Sequence, residues 1–244
     1  MKHIIITGAT GGLGSCIAKV CLSKGDHERY SLLYRSQSKL QQVFGEDLYR
    51  TDNLVNLVNT NELFGCPYSE EEIKKHLIYE DMKEIVLVNT SFSIYPLNKV
   101  GRFTEEQINE NINGNIKDFV LLVNTLLKFN KGKTIKIINI DSGAAYRPIA
   151  GWSLYCSAKA YINMFLKCIV SETENVEAIT YEPGVIDTPM QQEIRSASAE
   201  DFHWVKDFIG VKEKQGLRKP EDIAVDIYDR FIQCWKFNNF QEEY

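Results

Sequence analysis

The chain has 244 residues, 44% of them hydrophobic and 25% charged, with a net charge of -5. That is enough chain to bury a large core, and the acidic balance argues against nucleic acid or an anionic membrane surface as partner. Six scattered cysteines without a C-x-x-C pair and four isolated histidines argue against a disulfide framework and a metal site, and fit reduced thiols in a cytosol.

The opening MKHIIITGATGG is too short in apolar content for a signal peptide, and no later run approaches the roughly 20 apolar residues that span a bilayer. Residues 3–7 (HIIIT) read as a strand, and 13–24 as a helix ending at Gly25. A strand at 30–35 (YSLLYR) and a weaker one at 54–58 follow, within an irregular stretch at 39–68. Residues 69–79 read as a helix opened by a Ser69/Glu72 capping box, and 85–89 (IVLVN) as a strong strand. Residues 104–129 form a long helical region with a second box, Thr104/Gln107. A strand at 134–140 leads to a helix at 152–171, where Leu154, Ala158, Ile162, Phe165 and Ile169 recur on one face. A strand at 178–181 and a helix at 221–231 complete the pattern. Near-continuous apolar strands alternating with helices imply a doubly wound α/β fold, a parallel sheet covered on both faces. Without repeats or linkers, residues 1–244 read as a single domain.

The first strand runs into TGATGGLG, with Gly8, Gly12 and Gly14 before a helix. A strand, a glycine turn and a helix N-terminus make an anion site, since free helix N–H groups and the dipole face a phosphate that missing side chains let in. Thr7, Gly8, Thr10, Gly12, Leu13 and Gly14 are the candidate cofactor-binding residues there; a tight turn needing only positive φ is the plainer alternative. Ligands of such sheets lie beyond the carboxyl ends of the strands, and the second strand ends in Tyr34-Arg35-Ser36. A carboxylate there would take the ribose 2′-OH of NAD. Arg35 with Ser36 suits the 2′-phosphate of NADP instead; a solvated arginine is the alternative.

Tyr155 and Lys159 stand one helical turn apart on the same side. Alone, such a pair is an ordinary surface contact. Together with TGATGGLG and Ser142 after a strand, Tyr155-x-x-x-Lys159 resembles the short-chain dehydrogenase/reductases, over nearly the whole chain. PGVIDT at 183–188 is similar to that family's PG-x-x-x-T turn. SGAAYRPIAGWSLYCSAKA and YEPGVIDTPMQQEIR look like the sepiapterin reductase and bacterial benzil reductase branch.

The resemblance implies a Rossmann-type domain and an NADPH-dependent carbonyl reductase acting on a ketone or diketone, benzil-like or sepiapterin-like. It implies Tyr155 as general acid, with Lys159 lowering its pKa and holding the nicotinamide ribose, and Ser142 donating to the substrate carbonyl. Asn115 takes the relay asparagine's place, with Asn113 as competitor. Asn89 keeps the first position of the family's NNAG. Pro183, Gly184, Val185, Ile186 and Thr188 would line the carboxamide. The protein would be a cytoplasmic dimer or tetramer pairing through 104–129 and 152–171, with no metal. A catalytically silent NADP-binding regulator, or an alcohol dehydrogenase or 3-oxoacyl reductase, is the alternative.

The chain departs from the pattern at Asn89-Thr90-Ser91-Phe92, where Phe92 replaces a glycine and is expected near the adenosine side. Asn59 or Asn61 stands in for the acidic residue often set against adenine. The ending KFNNFQEEY lacks the family branch's pterin-anchoring aspartate, which leaves Glu242 or Glu243 as candidates. A loop at about 190–216 would cover the substrate with Met190, Phe202, Trp204 and Phe208, or bury its own apolar face with them. Tyr146, Trp152 and Cys156 are further candidate pocket walls, Cys156 equally a small buried hydrophobe.

Overall fold

A computed structural model describes residues 1–25, 28–45, 48, 54–65, 69–200, 202–214, 216–237 and 240–243. Seven strands, β1 (Lys2–Thr7), β2 (Arg29–Tyr34), β3 (Leu54–Asn59), β4 (Glu84–Asn89), β5 (Thr134–Ile140), β6 (Val176–Tyr181) and β7 (Phe240–Glu243), form one sheet in the order β3-β2-β1-β4-β5-β6-β7. Every pairing is parallel. The order reverses between β1 and β4, and the crevice at the carboxyl ends of these two strands is where such sheets take ligands.

The helices are α1 (Gly12–Lys24), α2 (Gln37–Phe44), α3 (Thr60–Leu63), α4 (Glu70–Leu77), α5 (Glu105–Ile112), α6 (Asp118–Phe129), α7 (Ser153–Glu172), α8 (Pro189–Arg195), α9 (Val205–Glu213) and α10 (Pro220–Ile227). The central strands are buried on both faces. Ile4 and Ile6 pack into a layer with Ile17 of α1 and Ile223 and Ile227 of α10. Ile5, pointing the other way, packs with Leu77 of α4, Leu122 and Leu126 of α6 and Ile162 of α7. Strand residues on both faces are therefore apolar, and fully burying each such side chain is worth about 1.5–3 kcal/mol.

Several elements differ from the sequence expectation. Ser69 precedes α4, but its side chain makes no cap; the Glu72 N–H reaches the Ser69 carbonyl instead, at 3.2 Å. Glu70, Glu71 and Glu72 in the first turn complement the helix dipole without that cap. The Thr104/Gln107 box does form, with bonds of 3.2 and 3.0 Å. The 104–129 region is not one α-helix, because a wide π-type turn at Asn113–Lys117 separates α5 from α6. The helix predicted at 221–231 is α-helical only over Pro220–Ile227 and continues as a wide turn to Gln233.

The described residues of 190–216 are not one loop but carry α8 and α9, α8 starting with Pro189 at its first position after Thr188. Strand β7 lacks an apolar run because it lies at the sheet edge, half-buried along its length. Among the described residues no helix is long and apolar enough to cross a membrane.

Candidate functional site

The glycine turn lies where β1 meets α1. Gly8 has φ +65°, a left-handed conformation that suits glycine. A Cβ on Gly14 would collide with the Gly8 carbonyl, and one on Gly12 would fall 2.7 Å from the Thr188 side chain. Thr7 ties this turn to the end of β4. Its hydroxyl donates to Asn89 Oδ1 at 2.9 Å and accepts the N–H groups of Thr90 and Ser91 at 3.1 and 3.3 Å. Ser15 N–H bonds Gly11 O, and helix geometry leaves the N–H groups of residues 12–14 without an intrahelical acceptor. These features fit a dinucleotide's pyrophosphate: a close backbone cradle at the positive end of a 13-residue helix.

Arg35 stands just beyond β2, and its Nη2 lies 3.6 Å from Asp118 Oδ2 at the start of α6. Ser36 is engaged as the N-cap of α2, accepting the Lys39 N–H at 3.3 Å. Asn61 donates to the Arg35 carbonyl at 3.1 Å, whereas Asn59 caps α3. Of these two asparagines, only Asn61 lines the cleft of about 1280 Å³ that runs from Arg35 and Asp118 to Pro189 and Gln192 on α8.

On α7, Tyr155, Lys159 and Asn163 recur every fourth residue and all three are buried. The helix thus turns a polar column inward beside its apolar residues. The Ser142 hydroxyl stands beside the Tyr155 phenol, close enough to favour its phenolate, and Lys159 Nζ donates to the Ile140 carbonyl at 2.6 Å. Tyr155 is 7% exposed. Burial pushes its pKa up, and the neighbouring Ser142 hydroxyl opposes this only in part. Burial also lowers Lys159 to about 8, against the charge of Asp141, which favours its ammonium. The expected lowering of the Tyr155 pKa is therefore reversed: desolvation of a buried phenol is the largest contribution.

Asn115 is buried inside the Asn113–Lys117 turn. Its amide oxygen accepts Ser93 N–H at 2.7 Å and its amide nitrogen donates to Ser93 O at 2.9 Å. Asn113 is exposed. Phe92 does not stand on the adenosine side. Its ring centroid lies 3.5 Å from Lys159 Nζ, and the ring meets Tyr155 edge-on at 6.1 Å.

A chain of buried polar contacts joins the glycine turn to this trio. Asn89 Nδ2 donates to Asn139 Oδ1 at 2.9 Å, and Asn139 Nδ2 to Asn163 Oδ1 at 3.3 Å. Asn163 Nδ2 donates to Asp141 Oδ2 at 2.7 Å. Asn139, Asp141 and Asn163 were not among the sequence candidates. Asn163 was findable, because it extends the 155–159 spacing by one turn; Asn139 sits in a strand that reads as core, and Asp141 directly follows its end.

On the substrate side, Trp152 is buried. It stacks on Phe202 at 4.8 Å between ring centroids and tilts against Tyr155 at 5.2 Å and Phe208 at 5.5 Å. Cys156 and Met190 pack partly buried against the same cluster. Trp204 is not in this wall; it is 45% exposed. Phe202, fully buried, serves the covering segment's own core. Tyr146 is exposed, with its hydroxyl 3.0 Å from Asn163 Nδ2. Glu242 and Glu243 are engaged at the sheet edge by Lys167 at 2.7 Å and Arg230 at 3.0 Å, so neither carboxylate is presented as a free anchor.

The turn at 183–188 passes Gly184 at φ +75°. Arg218, another residue without a sequence signal, fastens this turn. Its Nη1 donates to Pro183 O at 3.0 Å, its N–H to Val185 O at 2.8 Å, and its carbonyl accepts Asp187 N–H at 2.9 Å.

A family model described as short chain dehydrogenase matches residues 2–199. A benzil reductase ((S)-benzoin forming) of Bacillus subtilis (strain 168) is 34% identical over 232 residues, 92% of this chain and 90% of that protein. The benzil reductase ((S)-benzoin forming) of Bacillus cereus is 30% identical over 230 residues, 92% of this chain and 91% of that one. Sepiapterin reductases match more weakly. The crystal structure of the KRED1-Pglu enzyme superposes with TM-score 0.81 at 23% identity, over 96% of this chain and 95% of that one.

Proposed function

The chain belongs to the short-chain dehydrogenase family, in the branch that holds benzil and sepiapterin reductases, and from that premise we propose that it is an NADPH-dependent carbonyl reductase for ketones or vicinal diketones of the benzil kind. The observation that carries this reading is the buried Tyr155 and Lys159 one turn apart on α7, with the Ser142 hydroxyl beside the phenol. The glycine turn, Asn89 and the 183–188 turn would hold the cofactor, with Arg35 facing a 2′-phosphate. When bound, the nicotinamide supplies the hydride.

The chain's own residues manage the oxygen and its proton. Ser142 donates to the carbonyl oxygen as negative charge develops there, a contribution of about 10²–10³ in rate for one such donor. Tyr155 gives its proton to the same oxygen. A raised phenol pKa keeps that proton in place at neutral pH, so the group starts as an acid. Lys159, charged below about pH 8, then faces the phenolate that remains. Asn115 braces the Ser93 backbone, and with it the chain that leads from Phe92 into the cleft.

Trp152, Cys156 and Met190 would form an apolar wall for an aromatic ketone. Ile112 on α5 and Tyr161 and Met164 on α7 are exposed apolar side chains, which supports pairing of two copies through these helices.

The test is initial-rate reduction of benzil and of sepiapterin with NADPH and with NADH. The expected result is benzil turnover with NADPH preferred. Firm NADPH binding without reduction of either substrate would favour the silent regulator, and NADH preference would overturn the cofactor assignment.

A further inference from the structure

We infer that Asp118 sets how tightly this protein takes a 2′-phosphorylated cofactor, by holding Arg35 as its counter-ion at the adenosine end of the cleft, an inference that rests on the NADPH reading above. Arg35 leaves β2 and extends across the Asn113–Lys117 turn, where a Cβ on Gly114 would lie 2.8 Å from its Nη2. The same nitrogen stands 3.6 Å from Asp118 Oδ2. The Arg35 side chain is 52% exposed and that of Asp118 only 23%, so the cation leans inward onto a partly desolvated carboxylate. Burial raises the Asp118 pKa, with Arg35 and Lys117 acting against it.

The charge balance of the cleft makes this contact consequential. Among the described residues that line it, Arg35 is the sole base, against three carboxylates, Glu110, Asp118 and Glu193. A 2′-phosphate brings further negative charge and must take Arg35 from Asp118 or share it. Sharing sets phosphate against carboxylate at close range, in a cleft where the field is less screened than in bulk water. A ligand without the 2′-phosphate has no such contest. Asp118 therefore lowers the affinity for phosphorylated ligands selectively, although it lies far in sequence from the end of β2.

The experiment is calorimetric titration of the full chain with 2′,5′-ADP and with 5′-AMP as probes, for wild type, Asp118→Asn and Arg35→Gln. Asn keeps the shape of the side chain and removes its charge. Asp118→Asn is expected to bind 2′,5′-ADP roughly five- to tenfold tighter, with 5′-AMP changed less than about twofold. Arg35→Gln should erase the preference between the two probes. Thermal melting checks that each variant is folded, and Asp118→Ser serves if the Asn variant is not.

If wild type takes both probes equally, the NADPH reading itself fails. If wild type prefers 2′,5′-ADP but the Asp118 variants leave that preference unchanged, the role of Asp118 is refuted while the cofactor assignment stands. Equal weakening of both probes in a folded Asp118 variant would make Asp118 a ligand of the adenosine, which also overturns the inference.

Discussion

The Phe92 ring against Lys159 Nζ is a cation–π contact in a buried setting, where such contacts are worth about 2 kcal/mol or more. The ring, the Ile140 carbonyl and the charge of Asp141 all favour the ammonium, while burial disfavours it. The net result is a lysine lowered to about 8. In the proposed mechanism Lys159 acts as an ammonium, so the rate should be level below that value and fall as pH rises through about 8. Phe92→Leu removes the ring and should move this alkaline limb about one unit lower in pH. A pH–rate profile of benzil reduction checks both; a limb that stays in place in the variant would make Phe92 mere packing. The sequence exposed Tyr155, Lys159 and Ser142 because their spacing is rigid, fixed by one helix and one strand end. It could not place Phe92, because the ring direction depends on the backbone path after β4.

Helix ends behave according to whether their capping bonds form. Thr104→Ala breaks a reciprocal box and should destabilise the protein by about 1 kcal/mol in urea unfolding. Ser69→Ala removes no side-chain bond, and its effect should stay within about 0.5 kcal/mol. The two motifs look alike in sequence, yet only the first closes, since a cap requires the right backbone entry angle as well as the right residue pair. The same limit applies to the 190–216 segment. Its apolar residues were legible, but Phe202 and Phe208 are drawn into one aromatic cluster with Trp152, and this packing selects helices over a loop. Asn113–Lys117 is a wide turn for a comparable reason: Asn115 is fastened at both amide ends to Ser93.

The whole molecule folds around strands whose central residues are mostly apolar, and His3 is a buried basic departure from this. His3 of β1 is fully buried, with Nε2 2.8 Å from Ser31 Oγ and Nδ1 2.9 Å from Met82 Sδ. Burial is the largest cause that lowers its pKa from 6.5 to about 3. The unfolded chain therefore binds a proton that the folded chain refuses. Stability from this group is fully present above pH 6.5 and declines as pH falls toward 3, by about 2 kcal/mol at pH 5. Urea unfolding from pH 7 to pH 4 should show this slope, and His3→Gln should flatten it. The doubly wound, parallel character of the sheet was legible as alternating strand and helix. The edge strand β7 was not, because four half-buried residues carry no apolar period.

The role of the Tyr155 phenol is tested by Tyr155→Phe, measured for benzil turnover and for NADPH binding on the same preparation. Loss of the phenol should lower kcat by about 10³-fold, since no other group donates that proton, while the NADPH Kd stays within about threefold. A variant that binds NADPH and still turns over benzil within tenfold of wild type would contradict the assignment of Tyr155 as the acid, and with it the account of how this site reduces a carbonyl.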